Sequence, residues 1–198
     1  SIKNIVRLER ACGSKKSHQL FLDVISHRPP VALPVCKYTS TLALKWLGKR
    51  SCKINTLYIN FNRTIEYLQP LLDHNIGCYV KNIFIYGNQN REVMEQLNVC
   101  TGNVEQVQID DSDNCFDWLT VDILTRWRKL KYLKLHRSTI TISSVYILVQ
   151  TCSELISIEL GGTDDDDAAA VVAIAQHCSK LETLTIKYNC SMMNLHQG

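Results

Sequence analysis

An apolar triplet recurs along this chain at a nearly constant interval. In each triplet the second and third apolar residues follow the first by three and five positions, as in Leu130, Leu133 and Leu135. Six triplets, each starting about 25 residues after the one before, begin at Ile54, Val80, Val104, Leu130, Leu155 and Leu181. Three positions after each one stands a small polar residue: Asn62, Asn88, Ser112, Ser138, Thr163 or Asn189. A shared period of this length indicates structural repeats that stack on one another.

Each triplet predicts a short β-strand with one apolar face. Side chains alternate between the two faces of a strand, so apolar residues two positions apart share a face. A single unit cannot bury that face alone, and neighbouring units are therefore expected to pair their strands into one parallel sheet. The polar residue after each strand is expected to hydrogen-bond backbone groups where the chain turns.

The segment between consecutive triplets predicts a helix. In Thr141–Cys152 apolar residues recur at helical spacing, at Ile142, Val145, Leu148 and Val149. In Asp165–Cys178 the residues expected to face the core are Val171, Ile174, Ala175 and Cys178. Asn90–Val99 and Asp117–Trp127 take the same place in their units, whereas Pro70 is expected to kink or delay the helix over Ile65–His74.

The segment 1–49 follows the repeat less regularly. Pro30, Leu33 and Val35 keep the spacing of the triplet and precede the one at Ile54 by one period, and Ile5 with Leu8 precedes them by another. We interpret this segment as one or two degenerate repeats or a cap; the alternative is the remainder of a preceding helical domain. The predicted fold is α/β, a single repeat domain over 1–198, with regular repeats over 50–198.

Composition and charge narrow the classes of function. The 198 residues include 22 basic and 19 acidic ones, and the resulting net charge of +3 is too small to indicate nucleic-acid or membrane-surface binding by charge. No apolar stretch approaches the about 20 residues of a membrane-spanning helix. There is also no glycine-rich phosphate loop and no H-E-x-x-H or G-x-S-x-G motif. We therefore expect no enzyme, no catalytic residue and no cofactor.

The nine cysteines follow the repeat instead of forming a ligand set. Cys52 and Cys78 are one period apart, as are Cys152 and Cys178, and no C-x-x-C pair occurs. Zinc requires four convergent ligands, which this spacing does not supply. We expect buried free thiols at helix ends, no metal site and a reducing compartment.

The last three units carry a family resemblance, and the first two of them show it in full. Residues 129–152 read KLKYLKLHRSTITISSVYILVQTC, and residues 154–178 read ELISIELGGTDDDDAAAVVAIAQHC. Both resemble the cysteine-containing leucine-rich repeats, in which a strand is followed by a helix that ends in Cys. The resemblance covers residues 50–190 well and 1–49 poorly. It implies a solenoid with a parallel inner sheet and outer helices, made of about six clear repeats and one or two degenerate N-terminal ones.

The resemblance also implies a function. Such repeats usually form the substrate-recognition part of F-box-type receptors in cullin-based ubiquitin ligases, in the cytoplasm or nucleus. Related short versions serve as accessory subunits of large complexes, some of them mitochondrial. No F-box helix pair is recognisable in residues 1–30. The expected partners are accordingly a protein on the concave face, and either a ligase adaptor or the other subunits of a complex.

Positions that alternate with the buried triplet are predicted to form the concave face. This face would carry the aromatic residues Tyr58, Phe84, Tyr86 and Tyr132 and the charged residues Asp110, Lys134 and His136. Exposed aromatic residues with a polar rim are typical of protein-binding hot spots. The alternative is that Tyr58 or Phe84 is shielded or merely exposed. Binding of single-stranded nucleic acid would also use aromatic and basic residues, but Asp110 and Asp111 oppose it.

Overall fold

The computed structural model describes residues 31–35, 53–60, 69, 76–87, 91–110, 123–136, 140–161 and 167–187. The strands in these ranges are β1 (Val31–Val35), β2 (Ile54–Asn60), β3 (Asn82–Tyr86), β4 (Gln106–Asp110), β5 (Tyr132–His136), β6 (Ser157–Leu160) and β7 (Thr183–Ile186). The α-helices are α1 (Arg91–Cys100), α2 (Ile142–Thr151) and α3 (Asp167–His177), with 3-10 helices at Ile76–Tyr79 and Leu124–Arg126.

The protein has an α/β fold with one parallel sheet whose strands are hydrogen-bonded in chain order. From β4 to β7, the second apolar residue of a triplet pairs with its equivalent in the next repeat: Val107 with Leu133, Leu133 with Ile158, and Ile158 with Leu184. A one-residue slip would move each apolar side chain to the opposite face, so the period in sequence dictates this register. The predicted parallel alignment of the triplets is confirmed for these strands.

The chain divides into two compact parts, each much larger than one sequence repeat, which are called the first and the second unit from here on. The first unit consists of Ser1–Phe84 and Gln89–Asn103, and the second of Ile85–Asn88 and Val104–Gly198. The boundary falls within β3.

In the first unit, β1 confirms that the period begins before the regular repeats. It pairs in parallel with β2, with Leu33 opposite Leu57 and Val35 opposite Ile59. These are the pairs expected from the spacing in the sequence. The register is irregular between Val31 and Ala32. Residues 1–30 and 36–52 lie outside the described residues, and with them Ile5, Leu8 and Pro30.

The core of the second unit consists mainly of triplet residues. Those of β5 and β6 and of the turns before them are essentially inaccessible to solvent: Leu130, Leu133, Leu135, Leu155, Ile158 and Leu160. Among the described residues, Trp127 is the largest of the fully buried side chains. Leu184 and Ile186 of β7 are only half-buried, because β7 is the last strand of the sheet.

Helix α2 agrees closely with its prediction. Thr141 caps its N-terminus, where the hydroxyl accepts a hydrogen bond from the Ser144 amide at 3.2 Å. Val145, Leu148 and Val149 face the core, whereas Ile142 is half-buried. The hydroxyl cap satisfies one of the backbone donors that a helix start leaves without a partner.

The predicted inward face of α3 was wrong in part. Val171 and Ala175 are exposed, whereas Ala170, Ala173 and Ile174 are buried. Every residue from Ala168 to Ala175 is apolar, so apolar spacing alone does not select one stripe. Packing against α2 decides which side of α3 is covered.

The structure describes the other three predicted helices to different extents. Helix α1 matches the predicted Asn90–Val99 within one residue. The end of the predicted helix Asp117–Trp127 is a 3-10 helix at Leu124–Arg126 instead of an α-helix, and residues 111–122 lie outside the described ranges. Nearly all of Ile65–His74 also lies outside, as do the six polar residues expected after the strands.

Candidate partner-binding surfaces

The register of the second unit aligns polar and aromatic side chains on the sheet face opposite the buried triplets. Burial alternates along β4 and β5, with Val107, Ile109, Leu133 and Leu135 buried and their neighbours accessible. One row of neighbours across the strands consists of Gln106, Tyr132, Ser157 and Thr183, and the next of Gln108, Lys134, Glu159 and Thr185. Both rows consist of positions that alternate with the buried triplets, which is where the sequence predicted the open face of the sheet.

A group of charged side chains, here termed the charged cluster, consists of Lys134, His136, Glu159 and Lys187. The Lys134 ammonium lies 2.8 Å from Oε2 of Glu159, and the Lys187 ammonium donates a hydrogen bond to Oε1. Nδ1 of His136 lies 3.8 Å from the same Oε1. Only 13% of the Glu159 side chain is exposed. Both carboxylate oxygens are therefore occupied by cationic partners.

The charged cluster controls the ionisation of Glu159. Hydrogen bonds from Lys134 and then Lys187 lower the pKa of Glu159 from its ordinary value of 4.5 to about 2, although burial opposes the shift. Hydrogen bonds from cations stabilise the ionised form of a carboxyl group. Glu159 therefore remains ionised across the physiological range of pH.

Three other predicted site residues lie near the charged cluster or at the neighbouring strand ends. Tyr132, on β5 with Lys134, is 42% exposed. Asp110 of β4 is half-buried and pairs in register with His136. The half-buried Tyr86 ends β3, and the amide of the next residue, Gly87, donates a hydrogen bond to the Asp110 carbonyl at 3.0 Å. Gly87 has a φ of 87°, a conformation that glycine adopts without a steric penalty.

In the first unit, Tyr58 and Phe84 form a stacked aromatic pair. Their ring centroids are 4.8 Å apart and the ring planes differ by 13°. Tyr58 is 39% exposed and Phe84 is half-buried. Each ring covers part of the other, so the pair presents a rigid apolar surface with a hydroxyl at its margin.

Thr56 departs from the expected pattern beside this aromatic pair. It occupies an outward position but is buried, and its hydroxyl accepts a hydrogen bond from the Asn82 side-chain amide at 3.0 Å. The same hydroxyl donates to Oδ1 of Asn55 at 3.1 Å. Outward positions are thus not all available to a partner, because neighbouring polar side chains cover some of them.

The structure brings together some of the seven predicted binding residues. Tyr58 contacts Phe84, and Lys134 and His136 share Glu159. Glu159 and Lys187 were not in the predicted set, although both stand at positions that alternate with buried triplet residues in the sequence. The signal was present in the sequence: opposite charges at equivalent positions of consecutive repeats, Lys134 and Glu159, predict a cross-strand ion pair.

Cys78, Cys152 and Cys178 are free thiols. Cys152 and Cys178 are buried at the ends of α2 and α3, whereas Cys78 is half-buried. The Cys152 thiol donates a weak hydrogen bond to the Leu124 carbonyl at 3.7 Å, and burial raises its pKa to about 12. Burial also raises the pKa of Cys178. In the described ranges no three His, Cys, Asp or Glu residues are grouped in a way that could hold a metal ion.

No protein-family model matches the chain, and no curated protein matches it significantly. Among the helices of the described residues, none combines the length and hydropathy needed to cross a bilayer.

Proposed function

We propose that this chain is a non-catalytic protein-binding module built as a leucine-rich-repeat solenoid. Support for the repeat class comes from units of about 25 residues, in which strands such as β5 and β6 alternate with helices such as α2 and α3. Further support is the equivalent burial of Cys152 and Cys178, each directly after its helix. In the cysteine-containing repeats that this sequence resembles, a cysteine stands at that place.

The observation that carries the proposed function is the accessible Tyr58–Phe84 pair in the first unit. A stacked pair loses little conformational entropy when a partner covers it, because each ring already restricts the other. Aromatic residues are enriched among those that dominate binding energy in protein interfaces. The predicted partner surface therefore includes an apolar anchor here, and the charged cluster supplies a separate polar contact in the second unit.

Within the class of binding modules, we propose the substrate-recognition domain of an F-box-type ubiquitin-ligase receptor. The resemblance supports this assignment. It predicts an intracellular protein that contacts a client through its sheet face and a ligase adaptor through a different segment. Recovery of the client should then depend on Tyr58 and Phe84, whereas recovery of the adaptor should not.

Affinity purification of the full-length protein from cells, followed by mass spectrometry, tests this function. The native protein is compared with a Tyr58→Ala/Phe84→Ala variant, and with Tyr146→Ala as a control for loss of an exposed aromatic residue on α2. Thermal unfolding checks that each variant folds. We expect the aromatic double variant to lose a client while retaining a ligase adaptor, and the control to retain both.

Other outcomes would contradict the proposal at different levels. Co-purification with the same subunits in fixed ratio, and without a ligase adaptor, would favour an accessory subunit of a large complex. Retention of every partner by a folded Tyr58→Ala/Phe84→Ala variant would refute the aromatic pair as a binding site. Recovery of RNA or DNA with a steep dependence on salt would refute the protein-binding function.

A further inference from the structure

In the charged cluster, the cationic side chains are more exposed to solvent than the anionic one. The side chains of Lys134 and Lys187 are 43% and 54% exposed, against 13% for Glu159 between them. The carboxylate is thus covered by the ammonium groups that it binds. An approaching partner meets positive charge first.

The two ammonium groups are held in place and still have donors to offer. A lysine ammonium carries three N–H donors, and the shared Glu159 carboxylate takes a hydrogen bond from each lysine. A free lysine loses side-chain entropy when it is fixed by a ligand, whereas Glu159 already restricts both of these. The arrangement therefore resembles a preorganised receptor for an anionic group.

The surroundings define the extent of this positive surface. Two lysines against one glutamate leave a charge of +1, and His136 adds to it when protonated. Asp110 of β4, which pairs in register with His136 of β5, places negative charge on the β4 side of the cluster. The positive part of the surface therefore extends over β5, β6 and β7. Tyr132 offers an accessible aromatic ring on the same strand as Lys134. Two lysines are too few for the series of phosphate contacts by which proteins bind a nucleic-acid strand.

We propose that the charged cluster is the docking site for a carboxylate-rich segment of a protein partner, with acidic side chains bound by Lys134 and Lys187 beside Tyr132. This inference rests on the proposed function, since it specifies the chemistry of the partner. Complementary charge favours the acidic segment by guiding its approach and fixing its position. The shared carboxylate of Glu159 acts as a positioning group that keeps both lysines on the same patch.

Binding of synthetic peptides to the full chain tests the inference. The probe is a peptide of alternating Glu and Tyr, and its neutral counterpart has Gln in place of every Glu. We expect Lys134→Gln/Lys187→Gln to weaken binding of the acidic peptide by about tenfold or more. Lys180→Gln is the matched control, because Lys180 is as exposed as Lys187 and forms an ion pair with Glu154, both in the turns that precede β6 and β7. It should change the affinity less than about twofold.

A second variant separates loss of charge from loss of folding. Lys134→Arg/Lys187→Arg keeps both charges, so it should retain binding, and thermal unfolding should show both double variants to be folded. If the Lys134→Gln/Lys187→Gln variant does not fold, the inference is tested instead by the Arg variant and by the salt dependence of binding to the native protein. Raising the salt from about 50 to about 300 mM should then weaken binding of the acidic peptide but not of the neutral one.

The inference is refuted if the neutral peptide binds as tightly as the acidic one, or if Lys180→Gln weakens binding as much as the double Gln variant. It is also refuted if a single-stranded oligonucleotide binds more tightly than the acidic peptide. The proposed function has a separate readout, which is the loss of a client on Tyr58→Ala/Phe84→Ala substitution. Loss of the client without acidic-peptide binding would overturn this inference alone.

Discussion

Lys134 of β5 and Glu159 of β6 occupy paired positions of the sheet, and the ammonium of one lies 2.8 Å from the carboxylate of the other. Their separation along the chain is one repeat of the apolar pattern. A contact between residues distant in sequence is therefore a direct consequence of the period. The outward positions follow the same register as the buried ones.

The Glu159 ion pairs should make stability depend on pH in the acidic range. The pKa of Glu159 is about 2 in the folded protein against an ordinary 4.5, so its contribution is complete above about pH 4.5 and is lost as the pH falls toward 2. We expect Glu159→Gln to lower the free energy of unfolding by about 1 kcal/mol at neutral pH. Urea unfolding at several pH values should show the difference from the native protein shrinking below pH 4.5.

Glu154→Gln is the control for this pH dependence. Glu154 also binds a lysine, Lys180, but 45% of its side chain is exposed and solvent screens the pair. Its substitution should cost less than that of Glu159 at neutral pH. Equal losses for the two variants, or a Glu159 effect that does not change between neutral and acidic pH, would contradict the prediction.

Equivalent core positions should differ in their contribution to stability. Leu133 is fully buried within the sheet, whereas its equivalent Leu184 is half-buried on the last strand. We expect Leu133→Ala to lower the free energy of unfolding by about 2–5 kcal/mol, because it leaves a cavity. Leu184→Ala should cost about 1 kcal/mol, since less apolar surface is lost from the core. Denaturant unfolding measures both, and a larger loss for Leu184→Ala would show that β7 is covered.

The N-cap of α2 should be measurable by a single substitution. Thr141→Ala removes the acceptor of the Ser144 amide and should cost about 1 kcal/mol. Thr141→Ser, which keeps the hydroxyl, should restore most of it. Thr151→Ala is the control. The Thr151 hydroxyl donates to the Ile147 carbonyl at 2.8 Å near the exposed end of the same helix, and Ala has a higher helix propensity than Thr. The substitution of Thr151 should therefore cost less than that of Thr141. If Thr151→Ala lowered the free energy of unfolding as much as Thr141→Ala does, the capping role of Thr141 would be contradicted.

Cys152 should be chemically inert while the protein is folded. Burial raises its pKa to about 12, which leaves almost no thiolate at pH 8 and blocks the approach of reagents. Pulse alkylation with iodoacetamide, read by peptide mass spectrometry, should label Cys152 about 1,000-fold more slowly in the native than in the urea-unfolded protein. Rapid labelling of native Cys152 would show that the helix end opens locally.

Much of the fold could be predicted from the sequence, because the apolar triplets recur at a nearly constant interval that can be seen locally in each repeat. The spacing of Leu133, Ile158 and Leu184 predicted their alignment on adjacent parallel strands, and the structure places them there. The boundaries of α2 were also predictable, since Thr141 caps one end and Cys152 follows the other. Leu33 and Leu57 extend the same register into a segment with a weak pattern.

The candidate binding surfaces were only partly predictable. The outward position of Tyr58 and Phe84 followed from strand alternation, and the stacked geometry of 4.8 Å did not. Glu159 stood in a predicted row, but its role as the shared partner of Lys134 and Lys187 depends on how long side chains reach across strands. Thr56 was expected outside and is buried, because Asn82 covers and hydrogen-bonds it.

The sequence by itself determined the repeat length, the strand positions and the register, because apolar spacing at this period permits the buried residues of adjacent units to meet in only one alignment. The tertiary structure alone decided which side of α3 faces the core and that Lys187 and His136 join Lys134 around Glu159. These features depend on packing between elements, where several arrangements satisfy the same local pattern. Side-chain contacts across strands then select one of them.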